Sequence, residues 1–186
     1  GQWRSGLHHT QAPEPEWRNP CIILPENGHY TPEPAYGGLE GHHAFLETAH
    51  RLGLRAIAWI TTSGLGFESA EVREHPEWFL HDETGEIRAS FRSQRVKHVA
   101  DANFLSPGWR RWFLENVKHL RALGYDGVFL DGIVPKGPDA WTYPWPGRGQ
   151  NGAIDQVREV RREIKAIAPD FLFVPEDCGC YWNALG

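Results

Sequence analysis

Gly124-Tyr-Asp-Gly-Val-Phe-Leu-Asp-Gly132 is the stretch on which the fold turns. Val128, Phe129 and Leu130 make a short apolar run that stops at Asp131, the pattern of a buried parallel strand ending in a carboxylate. In α/β sheets and barrels the C-terminal ends of the strands form the reaction face, so a carboxylate there is a catalytic candidate. Upstream, Ser106 to Leu123 has helical spacing. Ser106 is placed to cap, Pro107 to occupy the first position, and Trp109, Phe113, Val117 and Leu120 to line one face. Gly124 ends that helix. Downstream, Phe171-Leu-Phe-Val174 reads as a second strand, and Pro175-Glu176-Asp177 brings further carboxylates to the same level.

Working outward, Cys21-Ile-Ile-Leu24 is expected as an earlier buried strand, with Glu26 to Pro34 as loop. A helix follows from about Leu39, with Phe45, Leu46, Ala49 and Leu52 on one face and Gly53 as its stop. His42 and His43 are expected on its exposed side. Leu54 to Ile60 is the next strand. A long excursion from Thr61 to Leu105 contains a turn at Asp82-Glu-Thr-Gly85 and an extended piece at Val96 to Asp101. A Pro/Gly/Trp-rich loop, Gly132 to Gln150, leads to a helix with Ile154, Val157, Val160, Ile164 and Ile167 inward. Strand and helix thus alternate through four units, with long strand-to-helix loops and short return turns. That asymmetry marks a (β/α)8 TIM barrel of α/β class, of which about four βα units are present. A full barrel takes about 250 residues, so the 186 residues are expected to be part of one catalytic domain, with the remaining strands supplied from elsewhere in a longer chain.

The composition is that of an ordinary globular chain, 40% hydrophobic and 23% charged, with net charge -5. With no basic stripe, nucleic acid is not expected as a partner, and no apolar run has the length of a membrane span. Three cysteines do not make a disulfide framework, and Cys178 and Cys180 lack the partners of a zinc site. There is no methionine, even at position 1, so a processed or excised form is expected. The first residues lack a signal-peptide pattern, and localisation stays open.

Several motifs together resemble the (β/α)8-barrel glycoside hydrolases, nearest to the α-galactosidase and α-glucosidase-like barrels and the hypothetical glycosyl hydrolases beside them. They are Gly53-Leu-Arg-Ala-Ile-Ala-Trp59, His75-Pro-Glu-Trp-Phe79 with Asp82-Glu-Thr-Gly85, Asp101-Ala-Asn103 with Ser106-Pro-Gly-Trp109, and Gly124 to Asp131. The resemblance implies a glycosidase in which Asp131 is the nucleophile. Phe129 stands where the α-amylase family has an arginine two residues before its nucleophile, a departure from that family. The amylase arrangement implies Glu176 as the general acid, whereas the α-galactosidase arrangement takes the acid from a later strand.

Glycoside cleavage needs one ionised carboxylate and one protonated acid flanking the bond, which Asp131 and Glu176 on neighbouring strand ends would provide. Asp177 is an alternative to Glu176. Trp141 and Trp145, in the loop after Asp131, are candidates to stack on sugar rings, and Trp59 is a candidate pocket floor. Trp78, Trp109 and Trp112 are expected in the core. Glu26, His29, Asp101 and Asn103 are candidates to orient hydroxyls. The expected ligand is an oligosaccharide or glycoside, with no cofactor and no metal. Two other readings remain: a non-catalytic carbohydrate-binding barrel, and a metal-dependent barrel hydrolase or lyase with Glu26, His29 and Asp131 as ligands.

Overall fold

The computed structural model describes residues 23–26, 29–32, 34–62, 64–67, 69–90, 99–131 and 149–176. Its centre is a parallel sheet of three strands: β3 (Ile57–Thr61), β7 (Gly127–Asp131) and β8 (Leu172–Pro175), in the order β3-β7-β8. Ile57, Trp59 and Thr61 stand opposite Gly127, Phe129 and Asp131, and Gly127 and Phe129 stand opposite Leu172 and Val174. Because side chains alternate along a strand, Ala58, Ile60, Val128 and Leu130 share the other face. These four are buried and join one core with the helices.

Two helices complete that core. α3 (Pro107–Ala122) begins as expected, with Pro107 at its first position and the Ser106 hydroxyl accepting the Trp109 N–H at 3.4 Å. It contributes Trp109, Phe113, Val117 and Leu120, all fully buried. Trp109 stacks on Trp112, with ring centroids 4.8 Å apart, and both lie in the core as expected, while Trp78 is partly buried against it. Gly124, at φ +105°, turns the chain from α3 into β7, a conformation that favours glycine. α4 (Gly149–Ile167) buries Val157, Val160 and Ile164. Ile167, expected inward, is 52% exposed, because the helix runs out past its last buried turn.

Ahead of the sheet the chain departs from expectation. The first strand is β1 (Ile23–Glu26), and it pairs antiparallel with β2 (His29–Pro32) in a hairpin, so it does not enter the parallel sheet. The segment read as loop therefore holds a strand. Tyr30 on β2 is fully buried and drives the hairpin inward. α1 (Gly38–Arg51) follows and stops at Leu52 and Gly53, the latter at φ +73°. His42, expected on the exposed side, is buried, and His43 is exposed.

The excursion after β3 builds a small antiparallel sheet, ordered β4-β6-β5, from β4 (Gly64–Gly66), β5 (Ala89–Ser90) and β6 (Val99–Asp101). A short helix, α2 (Ala70–Glu74), and a turn of 3-10 helix at Pro76–Trp78 lie between β4 and β5. The expected turn is present. Asp82 Oδ1 accepts the Thr84 N–H at 2.9 Å, the Thr84 hydroxyl at 2.6 Å and the Glu86 N–H at 3.1 Å. The Thr84 hydroxyl is the main reason its carboxyl sits below the ordinary carboxylate range.

Candidate active site

The C-terminal ends of the three parallel strands form a rim. Thr61 and Asp131 are register partners there. Glu176 follows Pro175, which stands opposite Leu130, and its N–H donates to the Leu130 carbonyl at 3.1 Å. The parallel pairing therefore continues one residue past β8. By strand alternation, Asp131 and Glu176 lie side by side on one face, with Thr61 on the far side of Asp131. Asp131 is half-buried and Glu176 exposed. Beneath them on the same face, Trp59, Phe129 and Val174 form a partly exposed layer.

Asp131 is braced through its main chain. Its carbonyl accepts the Thr62 N–H at 2.9 Å and the Thr62 hydroxyl at 2.8 Å. On β3, the Thr61 N–H donates to the Tyr30 hydroxyl at 3.3 Å. Burial pushes the Tyr30 phenol far above its ordinary range, and the negative charge of Asp131 adds to the shift, so the group stays neutral. His119 of α3 holds the Tyr30 carbonyl at 2.5 Å from its Nε2. Neither Thr62 nor Tyr30 was singled out from sequence. The only signals were a threonine pair closing a strand and an aromatic between two prolines' worth of polar chain.

The other candidates are distributed differently. Asp101 and Asn103 are each 1% exposed and lie in the excursion. Asp101 Oδ2 pairs with Arg88 Nε at 3.0 Å, and its carbonyl accepts the Leu80 N–H at 2.7 Å. Asn103 Oδ1 accepts the Leu105 N–H at 3.0 Å, its carbonyl the Ser106 N–H at 2.9 Å, and its N–H donates to the Trp78 carbonyl at 2.8 Å. Both residues brace the approach to α3. Glu26 and His29 face each other as the last register pair of the hairpin, and only their backbone is described. Trp141, Trp145 and Asp177 lie outside the described residues. Among the described residues no three His, Cys, Asp or Glu side chains gather as a metal site, and no helix is long and apolar enough to cross a membrane.

An α-amylase from Lactobacillus plantarum shares this fold with a TM-score of 0.63 at 21% identity, over 88% of this chain and 34% of that one. The fold is thus part of a (β/α)8 barrel. The chain belongs to hypothetical glycosyl hydrolase family 15, whose model matches residues 59–172. It is also similar to two α-1,4-glucan:maltose-1-phosphate maltosyltransferases. The one from Salinibacter ruber is 36% identical over 85 residues, which is 45% of this chain and 13% of the relative. The one from Myxococcus xanthus is 24% identical over 155 residues, 81% of this chain and 22% of the relative. The chain therefore spans less than a quarter of the length of these curated relatives.

Proposed function

We propose that the rim cleaves a glycosidic bond, with Asp131 as nucleophile or base and Glu176 as general acid. The observation that carries this reading is the register. The Glu176 N–H on the Leu130 carbonyl keeps Glu176 beside Asp131 on one face of adjacent strands. Neighbouring strands run about 4.8 Å apart, and a retaining glycosidase holds its carboxyls about 5–5.5 Å apart. Trp59 beneath Asp131 and Glu176 offers an aromatic plane to a sugar ring, and Trp141 and Trp145 are the loop aromatics suited to the same task.

The named relatives act on an α-1,4-glucan, so an α-glucoside is the first substrate to try. They are transferases, and a retaining site passes its glycosyl group to water or to another acceptor by the same two steps. The test is a panel of aryl α-glucosides with and without an added sugar or phosphate acceptor. Asp131→Asn is expected to lower kcat on the order of 10³-fold or more. Glu176→Gln is expected to spare substrates with good leaving groups and to lose those with poor ones. Turnover unaffected by Asp131→Asn overturns the reading. Sugar binding without turnover in the parent chain favours a carbohydrate-binding barrel instead.

A further inference from the structure

Helix α1 is seated narrowly. Its fully buried side chains are His42 and Leu46, one turn apart on the same face. Leu46 rests on the turn that leads into β7, where a Cβ placed on Gly124 would meet its Cδ1 at 3.2 Å. The His42 ring, 1% exposed, lies against the Tyr125 ring of the same turn, with centroids 5.2 Å apart. Phe45 and Leu52 are 42% and 68% exposed and add little to the seat.

Among the described residues, the titratable surroundings of His42 come from α1, α3, β2 and the Gly124–Tyr125 turn. His43 on α1 has its ring 6.3 Å away, His119 reaches from α3, and Tyr125 stands in the turn. Tyr30 lies on β2, the strand that α1 also packs against. Further along α1, His50 Nε2 pairs with Asp126 at 2.9 Å, while Glu40, Glu47 and Arg51 are exposed. Burial keeps the Tyr125 phenol neutral. A proton on His42 would therefore place a buried cation among two other histidines.

We propose that His42 is an acid-operated latch: neutral, it seats α1 on the Gly124–Tyr125 turn, and protonated, it releases the helix. Burial, and then the charges of His43 and His119, lower its pKa from 6.5 to about 4. The seated state thus binds fewer protons than the released state between those values, so seating weakens as pH falls through that window. Release uncovers β2, whose Tyr30 is held by His119 and in turn holds Thr61 beside Asp131. Acid would loosen the rim from behind. The latch stands independently of the glycosidase reading.

The test is amide hydrogen exchange along α1 in the whole chain, compared between about pH 7.5 and about pH 4.5 after correction for intrinsic rates, with opening expected to rise roughly 50-fold. His42→Phe is expected to abolish most of that rise. Leu46→Ala is expected to raise opening at both values and leave their ratio unchanged. If His42→Phe does not fold, NMR titration of the His42 ring in the parent chain decides: a midpoint well below 6.5 sustains the latch. A midpoint at or above the ordinary histidine value overturns it, as does a His42→Phe chain that opens with acid as the parent does.

Discussion

Thr62 holds Asp131 twice, donating both its N–H, at 2.9 Å, and its hydroxyl, at 2.8 Å, to the Asp131 carbonyl. Thr62 is fully buried, so water does not replace the hydroxyl when it is removed. Thr62→Val keeps the shape and the N–H bond and loses the second donor. The expected cost is about 1 kcal/mol of stability, measured by urea unfolding. If Asp131 acts on the substrate, kcat should fall more than KM rises, because the strand end that presents it has lost one of the two Thr62 donors.

Gly127 begins β7 hard against the Leu172 backbone of β8. A Cβ at this position would lie 2.6 Å from the Leu172 carbonyl oxygen and 2.7 Å from the Leu172 Cβ. A backbone oxygen cannot step aside as a side chain can. Gly127→Ala should therefore force β7 and β8 apart at a cost of about 1–3 kcal/mol. A fall in the thermal midpoint checks this. The same displacement carries Glu176 relative to Asp131, so if these two carboxyls act on the substrate, the residual folded protein should also lose turnover.

Asp126 ties the sheet at the end away from the rim. Its Oδ2 accepts the Ala56 N–H at 2.7 Å and lies 2.9 Å from His50 Nε2, while its N–H donates to the Ala56 carbonyl at 2.9 Å. Asp126→Ala leaves the Ala56 N–H without its carboxylate, and about 1–2 kcal/mol of stability should go with it. Denaturant unfolding measures the loss. Because this end of the strands is remote from Asp131, kcat in the folded fraction should hold, in contrast to Thr62→Val.

Much of this arrangement was legible from residue order. The Ser106–Pro107 start of α3, the glycine stop at Gly124 and the apolar run ending at Asp131 are local signals, and local physics sets them. What escaped depends on distant partners. β2 carries Pro32 and sits in a stretch rich in turn formers, and only the burial of Tyr30 against β3 and α3 makes it a strand. His42 and His43 are chemically the same in sequence; the Tyr125 ring packed on one face of α1 is what buries the first and leaves the second exposed. The tie between Glu176 and Leu130 needs the register of two strands more than 40 residues apart, which periodicity alone does not specify.

Arg88 and Asp101 form an ion pair whose two ends are unequally buried. Asp101 contributes a carboxylate that is 2% exposed, and Arg88 keeps about a third of its side chain in water. Removing the carboxylate therefore leaves a cation that still reaches solvent, whereas removing the guanidinium takes the paired cation away from a buried anion. The two deletions should not be equal. Asp101→Ala is expected to cost about 1–3 kcal/mol, and Arg88→Ala more than that at neutral pH. Urea unfolding of both variants at neutral pH checks the asymmetry. Equal losses would mean that the pair acts through packing of the Arg88 stem against the excursion, with the charge contributing nothing.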